Sequence, residues 1–435
     1  MKSVALHTLG CKLNFSETSS IAQQLQREGF QIVKFDQEAD IYILNTCSVT
    51  ENADKKCREI VKKTKKKTPR SRFIVIGCYA QLKPEKIVQI EGVDAVFGAE
   101  EKFNLANHLQ ALDSAQLPIV LNGNIKEVHH FIPAFSFGDR TRSFFKVQDG
   151  CNYFCSFCTI PLARGKSRSA SIEQTLLEMK KIDPLVQEVV LTGVNIGDFG
   201  SGTDEGFFDL ICAIENENFN KRFRISSIEP NLLTDEIIDF ISKSNHFVPH
   251  FHIPLQSGSD EILKNMRRKY RRDLYRKRVQ KIRSKIPNAC IGVDVIVGFP
   301  GETETHFLDT YHFLNDLRID YLHVFPYSIR DNTGAKKMKN QIPLAKKTRR
   351  AKMLRILSDK KQRNFYESQT GRTVNVLFEN ENKNGRMLGF SENYIRVETT
   401  FNKAFVGSIK AVKLEHLSSK MTYISENLNK EVPVK

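Results

Sequence analysis

The sequence has 435 residues, of which 40% are hydrophobic, a content that supplies the cores of two or three globular domains and excludes a disordered chain. Nine cysteines, an odd number, argue against a secreted disulfide framework. The sequence has no apolar run of about 18 residues and no signal-peptide pattern, so we expect a cytoplasmic protein with no membrane span. The net charge of +16 favours a polyanionic partner, with nucleic acid as the first candidate, because neutralised phosphates release their counterions.

Strand-like and helix-like segments alternate over the first hundred residues. The predicted elements are a strand at 3–9, a helix at 16–29, a strand at 41–45, a helix at about 52–67 and a strand at 72–77. Ser16 would cap the start of the first helix, and Gly29 would end it. The alternation predicts βαβ units and a parallel sheet.

Each of the three predicted strands runs into a cysteine: Cys11, Cys47 and Cys78. Because parallel strands bring their carboxyl ends to one edge of the sheet, the fold would gather these three thiols. A single cysteine after a strand would be interpreted as buried, but three at equivalent positions favour a shared site. The other isolated cysteines fall in helix or strand patterns and are interpreted as structural: Cys57, Cys212 and Cys290.

Residues 101–140, with Pro118 and Pro133, are typical of a connection between domains. A second alternating series follows, with predicted strands at 144–148, 188–193, 223–229, 250–256, 289–298 and 321–327. Six β/α units predict an open or partial barrel, in which chemistry gathers in the loops after the strands. Short β-like runs at 373–380, 393–399 and 407–417 then predict a small β-barrel, which would bind RNA or serve as a packing module.

The loop CNYFCSFC, after the first strand of the second series, places Cys151, Cys155 and Cys158 in a C-x3-C-x2-C pattern. Three thiolates are one short of a closed zinc site and one short of the four that usually hold an iron–sulfur cluster. On a four-iron cluster they leave one iron open to a small molecule. The alternative is a Cys3His zinc site completed by His250 or His252.

This pattern, with Phe157 before the last cysteine, resembles the radical S-adenosylmethionine (SAM) superfamily. The segments LTGVN (191–195), SSIEP (226–230), IPLQSGSD (253–260) and IGVDVIVGFPGET (291–303) agree with it. The resemblance implies a four-iron cluster on the loop cysteines and SAM on the open iron. It also implies SAM contacts for the following residues: Phe157, Thr192, Gly193, Glu229, Gln256 and Gly298. Arg164 and Arg168 would meet the SAM carboxylate or an RNA phosphate.

The order of two cysteine trios and a terminal β-domain resembles the methylthiotransferases. Their layout implies an α/β protein with three domains: an N-terminal parallel-sheet domain (1–125), a radical SAM partial (β/α)6 barrel (137–367) and a small β-barrel similar to the TRAM RNA-binding module (368–432). It also implies a second 4Fe-4S cluster on Cys11, Cys47 and Cys78, which carries the sulfur to be transferred.

The opening HTLGCKLNFSET is similar to the branch acting on N6-threonylcarbamoyladenosine beside the tRNA anticodon. Enzymes for isopentenyladenosine typically read YGCQMN here, and those for a ribosomal protein aspartate read LGCPKN. The resemblance implies methylthiolation at C2 of threonylcarbamoyladenosine, with the tRNA anticodon stem-loop and a flavodoxin or ferredoxin as partners. The alternatives are the isopentenyladenosine and ribosomal-aspartate substrates, or a non-catalytic, metal-stabilised RNA-binding protein.

Three basic runs, at 55–72, 267–285 and 345–363, hold much of the positive charge. Such runs are usually solvated helix faces. Three of them with little acidic compensation favour RNA or DNA as the partner.

Overall fold

The amino-terminal part folds into an open parallel sheet with helices on both faces. The computed structural model describes residues 1–47, 51–112, 118–137 and 141–425. The strands of this part are β1 (Ser3–Thr8), β2 (Gln31–Val33), β3 (Ile41–Thr46), β4 (Arg72–Gly77), β5 (Ala95–Phe97) and β6 (Ile119–Leu121). The helices are α1 (Lys12–Arg27), α2 (Glu51–Lys67), α3 (Cys78–Leu82), α4 (Pro84–Val88) and α5 (Leu105–Ala111).

All neighbours in this sheet are parallel, in the order β2-β1-β3-β4-β5-β6. Strand β3 is buried along its whole length. Ile43 packs on one face with residues of α1, and Leu44 packs on the other with Val61 of α2. A run that is apolar on both faces is what a parallel sheet covered by two helical layers requires. The predicted βαβ organisation is confirmed.

The first helix begins earlier than the sequence predicted. Helix α1 starts at Lys12, directly after Cys11, and Ser16 lies buried inside it. The Ser16 hydroxyl donates to the Leu13 carbonyl at 2.9 Å, so it bonds back within the helix instead of capping the start. Gly29, at φ +87°, follows the last turn as expected.

The segment 101–140 is more than a connection. It contributes α5 and the edge strand β6 to the first domain, and residues 113–117 and 138–140 lie outside the described part. The edge strands β2 and β6 and the inner strand β5 have three residues each, too few to show an alternating pattern in the sequence.

Six parallel strands, one short antiparallel strand and their helices form the central domain. The strands are β7 (Ala134–Phe135), β8 (Arg142–Lys146), β9 (Glu188–Thr192), β10 (Arg222–Ile225), β11 (His250–His252), β12 (Cys290–Val297) and β13 (Tyr321–Pro326). The helices are α6 (Ile160–Arg164), α7 (Ile172–Met179), α8 (Phe207–Asn216), α9 (Asp235–Ile241), α10 (Asp260–Asn265), α11 (Arg272–Lys285) and α12 (Glu304–Asp316).

Strands β8, β9 and β10 form one parallel sheet, with β7 antiparallel at its edge, and β11, β12 and β13 form a second parallel sheet. Parallel bridges such as Ser227 to His252 join the two sheets. The six parallel strands therefore form the predicted partial barrel. Alternate residues such as Phe145, Phe251 and Val293 pack outward against the helices in the main core. The intervening residues face the lumen.

A long helix, α13 (Leu344–Ser368), leads to the C-terminal sheet. The strands of this sheet are β14 (Thr373–Phe378), β15 (Arg386–Ser391), β16 (Arg396–Thr400), β17 (Ile409–Lys413), β18 (His416–Leu417) and β19 (Tyr423–Ile424). The six strands form a curled sheet in the order β17-β14-β15-β16-β19-β18, consistent with the small β-domain expected. The domain limits 1–125, 137–367 and 368–432 stay predictions, and residues 426–432 lie outside the described part.

Candidate functional site

Hydrogen-bond donors point at all three sulfurs of the 151–158 loop. Cys151 and Cys158 each accept a bond from a backbone N–H group, at 3.3 and 3.4 Å, and Cys155 accepts one from Arg268 Nη1 at 3.2 Å. Burial raises the pKa of the Cys151 and Cys158 thiols to about 12, and it raises the pKa of Cys155 as well. Binding of a metal group must therefore displace these protons, and the three donors stabilise the resulting thiolates.

The cysteines of neither trio are as close together as the thiolates of a single zinc ion. Among the described residues, one group of three potential ligands has all its ligand atoms within 4.8 Å of one another, and it contains no cysteine. A tetrahedral zinc ion would hold its thiolates about 3.8 Å apart. Neither cysteine trio is gathered that tightly, whereas a four-iron cluster binds each thiolate at a different iron.

The histidines of the zinc alternative have other neighbours. His250 Nε2 lies 3.0 Å from the Tyr321 hydroxyl, and His252 Nε2 lies 2.9 Å from Asp294 Oδ1. His252, Asp294 and His323 form the group of three potential ligands, on the adjacent strands β11, β12 and β13. In the described part of the chain, neither histidine belongs to a group of close ligand atoms that includes the loop cysteines.

Unpartnered polar atoms mark the carboxyl edge of the barrel. Asn195 is 3% exposed, and neither atom of its amide group has a hydrogen-bond partner among the described residues. The hydroxyl of Ser226, after β10, is likewise buried without a partner in the described part. Because buried polar groups are normally bonded, these atoms fit a polar ligand at this edge, as the amino-acid and ribose groups of SAM require.

The residues assigned to SAM follow the ends of parallel strands at this edge. Gly193 passes so close to Gln148 that a Cβ would stand 3.0 Å from its Oε1 atom. Glu229 binds Arg268, which thereby links this carboxylate to Cys155.

The other SAM candidates lie further round the rim. Gln256 and Gly298 have φ angles of +67° and +74° after β11 and β12. Thr192 donates to the Phe145 carbonyl, and the Phe157 ring stands edge-on to Phe299. The structure brings these residues to one side of the barrel, and their contacts with SAM stay predictions.

Arg164 and Arg168 are bonded within the protein. Arg164 is buried, and its terminal nitrogens donate to Glu17, Asp149 and the Asn14 amide oxygen. Arg168 donates to Asp149 Oδ2 at 3.2 Å and to three backbone carbonyls. These contacts give no support to their assignment to SAM.

The second cysteine trio lies at the carboxyl edge of the first sheet. Cys47 and Cys78 directly follow β3 and β4, and Cys11 follows β1. Cys11 and Cys47 are neighbours, since a Cβ added to Gly10 would stand 2.9 Å from the Cys47 Cβ atom. The three cysteines thus follow neighbouring parallel strands at one edge of the sheet, and their sharing of a cluster stays a prediction. The other cysteines fit the structural interpretation: Cys57 and Cys290 are buried, and Cys212 is half-buried.

Both trios flank one interface between the first two domains. Helix α3, which begins at Cys78, packs against α6, which follows Cys158. Asn14 accepts a bond from Arg164 Nη2 at 2.6 Å and lies 3.7 Å from the Cys11 sulfur. The contacts of α3 with α6 and of Asn14 with Arg164 thus hold the two cysteine trios on the same interface.

A buried carboxylate forms the centre of this interface. Glu17 is fully buried and binds Lys102, Lys146 and Arg164 at 2.8 to 3.3 Å. Burial raises the pKa of Glu17, but the charges of Arg164, Lys102 and Lys146 outweigh this effect and hold it well below its usual range. Sequence reasoning missed Glu17, Asn14 and Arg268, because each acts through partners far away in the chain.

The basic runs are only partly solvated. Helix α2 exposes most of its lysines, whereas Arg268, Arg283 and Arg350 are buried and bind acidic side chains. None of the described helices is long and apolar enough to cross a membrane.

The arrangement separates two tasks around one lumen. A four-iron cluster on the loop cysteines would supply the electron that cleaves SAM, and a second one on the other trio would supply the sulfur. The residues of this chain orient and shield these groups: Arg268 holds the Cys155 sulfur and Glu229 together, and the Glu17 ion pairs fix the first domain over the barrel.

Comparisons with known proteins agree with this organisation. Residues 3–98 match the model of the uncharacterized protein family UPF0004, and residues 145–314 match that of the radical SAM superfamily. In solved structures, the radical SAM methyltransferase TsrM from Kitasatospora setae superimposes with a TM-score of 0.54, at 12% identity and over 75% of each chain. The cobalamin-dependent radical enzyme OxsB gives 0.50 at 15% identity, over 85% of this chain and 56% of that one. At these identities both show the fold alone.

Relatives extend over nearly the whole chain. The threonylcarbamoyladenosine tRNA methylthiotransferase MtaB of Bacillus subtilis is 37% identical over 95% of this chain and 94% of its own. The protein of the same name from Thermotoga maritima is 34% identical over 96% and 95%. The tRNA-2-methylthio-N(6)-dimethylallyladenosine synthase of Chloroherpeton thalassium is 33% identical over 96% and 94%. With both domain matches and this coverage, the chain belongs to the methylthiotransferase family of radical SAM enzymes, which use SAM and two 4Fe-4S clusters.

Proposed function

We propose that this enzyme adds a methylthio group to C2 of N6-threonylcarbamoyladenosine next to the anticodon of tRNA. The observation that carries the proposal is the pair of cysteine trios on the two sides of one domain interface. The identity of 34 to 37% to five bacterial proteins named for this activity supports the choice of nucleoside.

Cys151, Cys155 and Cys158 hold the cluster that cleaves SAM, and Cys11, Cys47 and Cys78 hold the cluster that presents the sulfur. SAM lies along the carboxyl edge of the barrel, against Phe157, Thr192, Gly193, Glu229, Gln256 and Gly298. The unpartnered amide of Asn195 on that edge supports this placement.

The anticodon stem-loop reaches the lumen between the first domain and the C-terminal sheet, where the TRAM-like domain and the exposed lysines of α2 attract its phosphates. A small acidic protein, such as flavodoxin or ferredoxin, delivers electrons to the cluster of the barrel. The proposal includes a cytoplasmic location, where tRNA and such electron donors would be met.

The decisive experiment is mass spectrometry of nucleosides from tRNA of a strain that lacks this gene, compared with its parent. We expect the methylthio group to disappear from threonylcarbamoyladenosine alone. Its loss from isopentenyladenosine would establish the other tRNA substrate, which the 33% identity to a dimethylallyladenosine synthase makes the second candidate. An unchanged tRNA profile would point to a ribosomal protein aspartate.

Two triple variants separate the clusters. Replacing Cys151, Cys155 and Cys158 by Ala should remove about half of roughly eight irons and all SAM cleavage. Replacing Cys11, Cys47 and Cys78 by Ala should remove the other half, leave SAM cleavage and abolish methylthiolation. Retained SAM cleavage in the first variant would overturn the cluster assignment, and absent cleavage in the wild-type protein would favour a non-catalytic RNA-binding protein.

A further inference from the structure

Lys12 occupies a distinctive position at the start of α1. It directly follows Cys11, and its ammonium group lies 5.9 Å from the centre of the Phe144 ring on β8. It also lies within electrostatic range of Arg142 and Arg224 on one wall of the lumen. On the opposite wall, burial lowers the pKa of His250 and His323, and the nearby charge of Lys12 contributes to both shifts. Lys12 therefore projects from the first domain into the lumen, between the two sheets of the barrel.

Lys12 has no carboxylate partner in the described part of the chain. Its side chain is exposed to solvent within the lumen. The nearby carboxylates are occupied: Glu188 accepts bonds from Arg222 and Arg224 at 2.6 and 3.0 Å, and Glu379 accepts one from Arg142 at 2.5 Å.

Across the lumen, the carboxylate of Asp294 lies 2.9 Å from His252 Nε2. A free ammonium group beside a guanidinium cluster is an electrostatic site for an anion, and a carboxylate is the matching group of a small organic ligand.

The position beside Cys11 relates this charge to the reaction proposed above. In adenine, C2, N1 and C6 are consecutive ring atoms, so C2 and the substituent on N6 share one edge of the base. A nucleoside whose C2 faces the trio of Cys11, Cys47 and Cys78 brings its N6 substituent to the same end of the lumen. The threonyl part of that substituent carries a carboxylate, whereas an isopentenyl group carries no charge.

We propose that Lys12 binds the threonyl carboxylate of the substrate nucleoside and so selects the anionic N6 substituent over a neutral one. This inference rests on the proposed function and adds the residue that recognises the substituent. A neutral substituent would desolvate the ammonium group without giving it a partner, and such an unpaired charge is costly.

The test compares two anticodon stem-loop RNAs with wild-type and variant holoenzymes. One RNA carries threonylcarbamoyladenosine, and the other carries its methyl ester, in which the carboxylate is neutral. For the wild type we expect esterification to lower kcat/KM roughly 10- to 100-fold, the worth of a hydrogen bond to a charged group. Lys12→Met should lower the value for the acid by a similar factor and leave the value for the ester unchanged. Lys12→Arg should retain most of the preference.

Lys34→Met is the matched control, because it removes one exposed lysine of the same domain outside the lumen, and it should keep the wild-type preference. Iron content and SAM cleavage of Lys12→Met show that its clusters are intact. Equal wild-type rates for acid and ester, or an equal loss on both RNAs in Lys12→Met, would overturn the carboxylate site and leave the proposed function standing.

Equilibrium affinities for the same two RNAs test the carboxylate site at Lys12 without requiring turnover. If the wild type failed to methylthiolate the acid RNA, the proposed function would fall. Tighter binding of the acid than of the ester, lost in Lys12→Met, would still support the carboxylate site, and equal affinities would overturn it.

Discussion

Arg268 joins a cysteine of the barrel loop to a residue assigned to SAM. It is buried, donates to the Cys155 sulfur at 3.2 Å, binds Glu229 and lies over the Tyr270 ring. In the sequence it is hidden in the basic run 267–285, where every arginine looks suited to RNA. Its burial distinguishes it from the exposed Lys269 beside it.

We expect Arg268→Met to lower SAM cleavage by about 10- to 100-fold, the usual effect of losing a partner that orients a metal ligand. The variant removes a positive charge that stabilises electron-rich sulfur, so the reduction potential of the bound cluster should also fall. Anaerobic production of 5′-deoxyadenosine and a potentiometric titration measure both effects. Lys269→Met should behave as wild type, and an equal response of the two variants would refute the assignment.

The turns after the strands decide whether the second cysteine trio assembles. Gly77 links β4 to α3 at φ +96°, and a Cβ there would stand 2.4 Å from the Asn45 side-chain oxygen and 2.5 Å from the Thr46 carbonyl. A side chain cannot be accommodated without moving β3, which leads to Cys47.

Gly77→Ala should therefore displace Cys78 and lower the iron content from about eight to about four atoms per chain, while SAM cleavage persists. Gly29→Ala is the control: its φ is +87°, but no atom lies within 4 Å of the added Cβ. It should cost about 1 kcal/mol of stability and no iron. Full iron content and methylthiolation in Gly77→Ala would contradict this account of the turn.

The C-terminal sheet shares its core with the barrel. Cys290 and Tyr321, on β12 and β13, pack in one cluster with Val376 and Val397 of the sheet. Arg222 and Arg224 donate to backbone carbonyls of the same sheet. The sheet is therefore part of the folded barrel rather than a tethered module.

Ending the chain after Gln369 should expose this shared apolar surface and produce aggregated protein. Size-exclusion chromatography and limited proteolysis measure the effect. A chain that ends after Ser425 keeps the described sheet and should remain monodisperse. A soluble short chain that cleaves SAM at the full rate would show that the barrel does not need the sheet.

The sequence was most informative where strands are long and regular. The six barrel strands alternate or run apolar over several residues, and the motifs at their ends locate the carboxyl edge. Strand β15 escaped detection because Gly389 interrupts its pattern, and the reason for this glycine is tertiary: a Cβ would stand 2.5 Å from Val376 of the neighbouring strand.

Contacts between domains were the least predictable part of the site. Glu17 lies in a helix among polar residues and looks like part of a solvated face, yet it is fully buried against cations from two domains. The cysteine trios were predictable because each obeys a local rule, the end of a strand or the spacing in a loop. The way in which one trio faces the other depends on packing over more than a hundred residues.

At the scale of the whole molecule, the Glu17 ion pairs make the union of the first two domains sensitive to acid. The folded-state pKa of Glu17 is held below its unfolded value of about 4.3. The stabilisation is therefore complete above this pH and is lost as the pH falls towards the folded-state value.

We expect Glu17→Gln to lower the free energy of unfolding by about 3 to 5 kcal/mol at pH 7, because three cations lose their buried partner. Its stability should also change less than that of the wild type below about pH 4. Urea unfolding at a series of pH values measures both quantities. Glu28→Gln, at an exposed position of the same segment, should follow the wild-type curve. Parallel curves for wild type and Glu17→Gln would disprove the link.

Helix α13 runs unbroken for 25 residues, about 37 Å. Near its start, Lys347 fills the space beside Gly298 and donates to the Tyr327 carbonyl, and Arg350 binds Glu302. Near its end, Tyr366 is embedded in the core of the C-terminal sheet. Because helix α13 is anchored at both ends, its two ends should move together. We therefore expect a tilt of the C-terminal sheet, which the proposed function assigns to RNA, to shift Gly298 and the loop after β12, which it assigns to SAM.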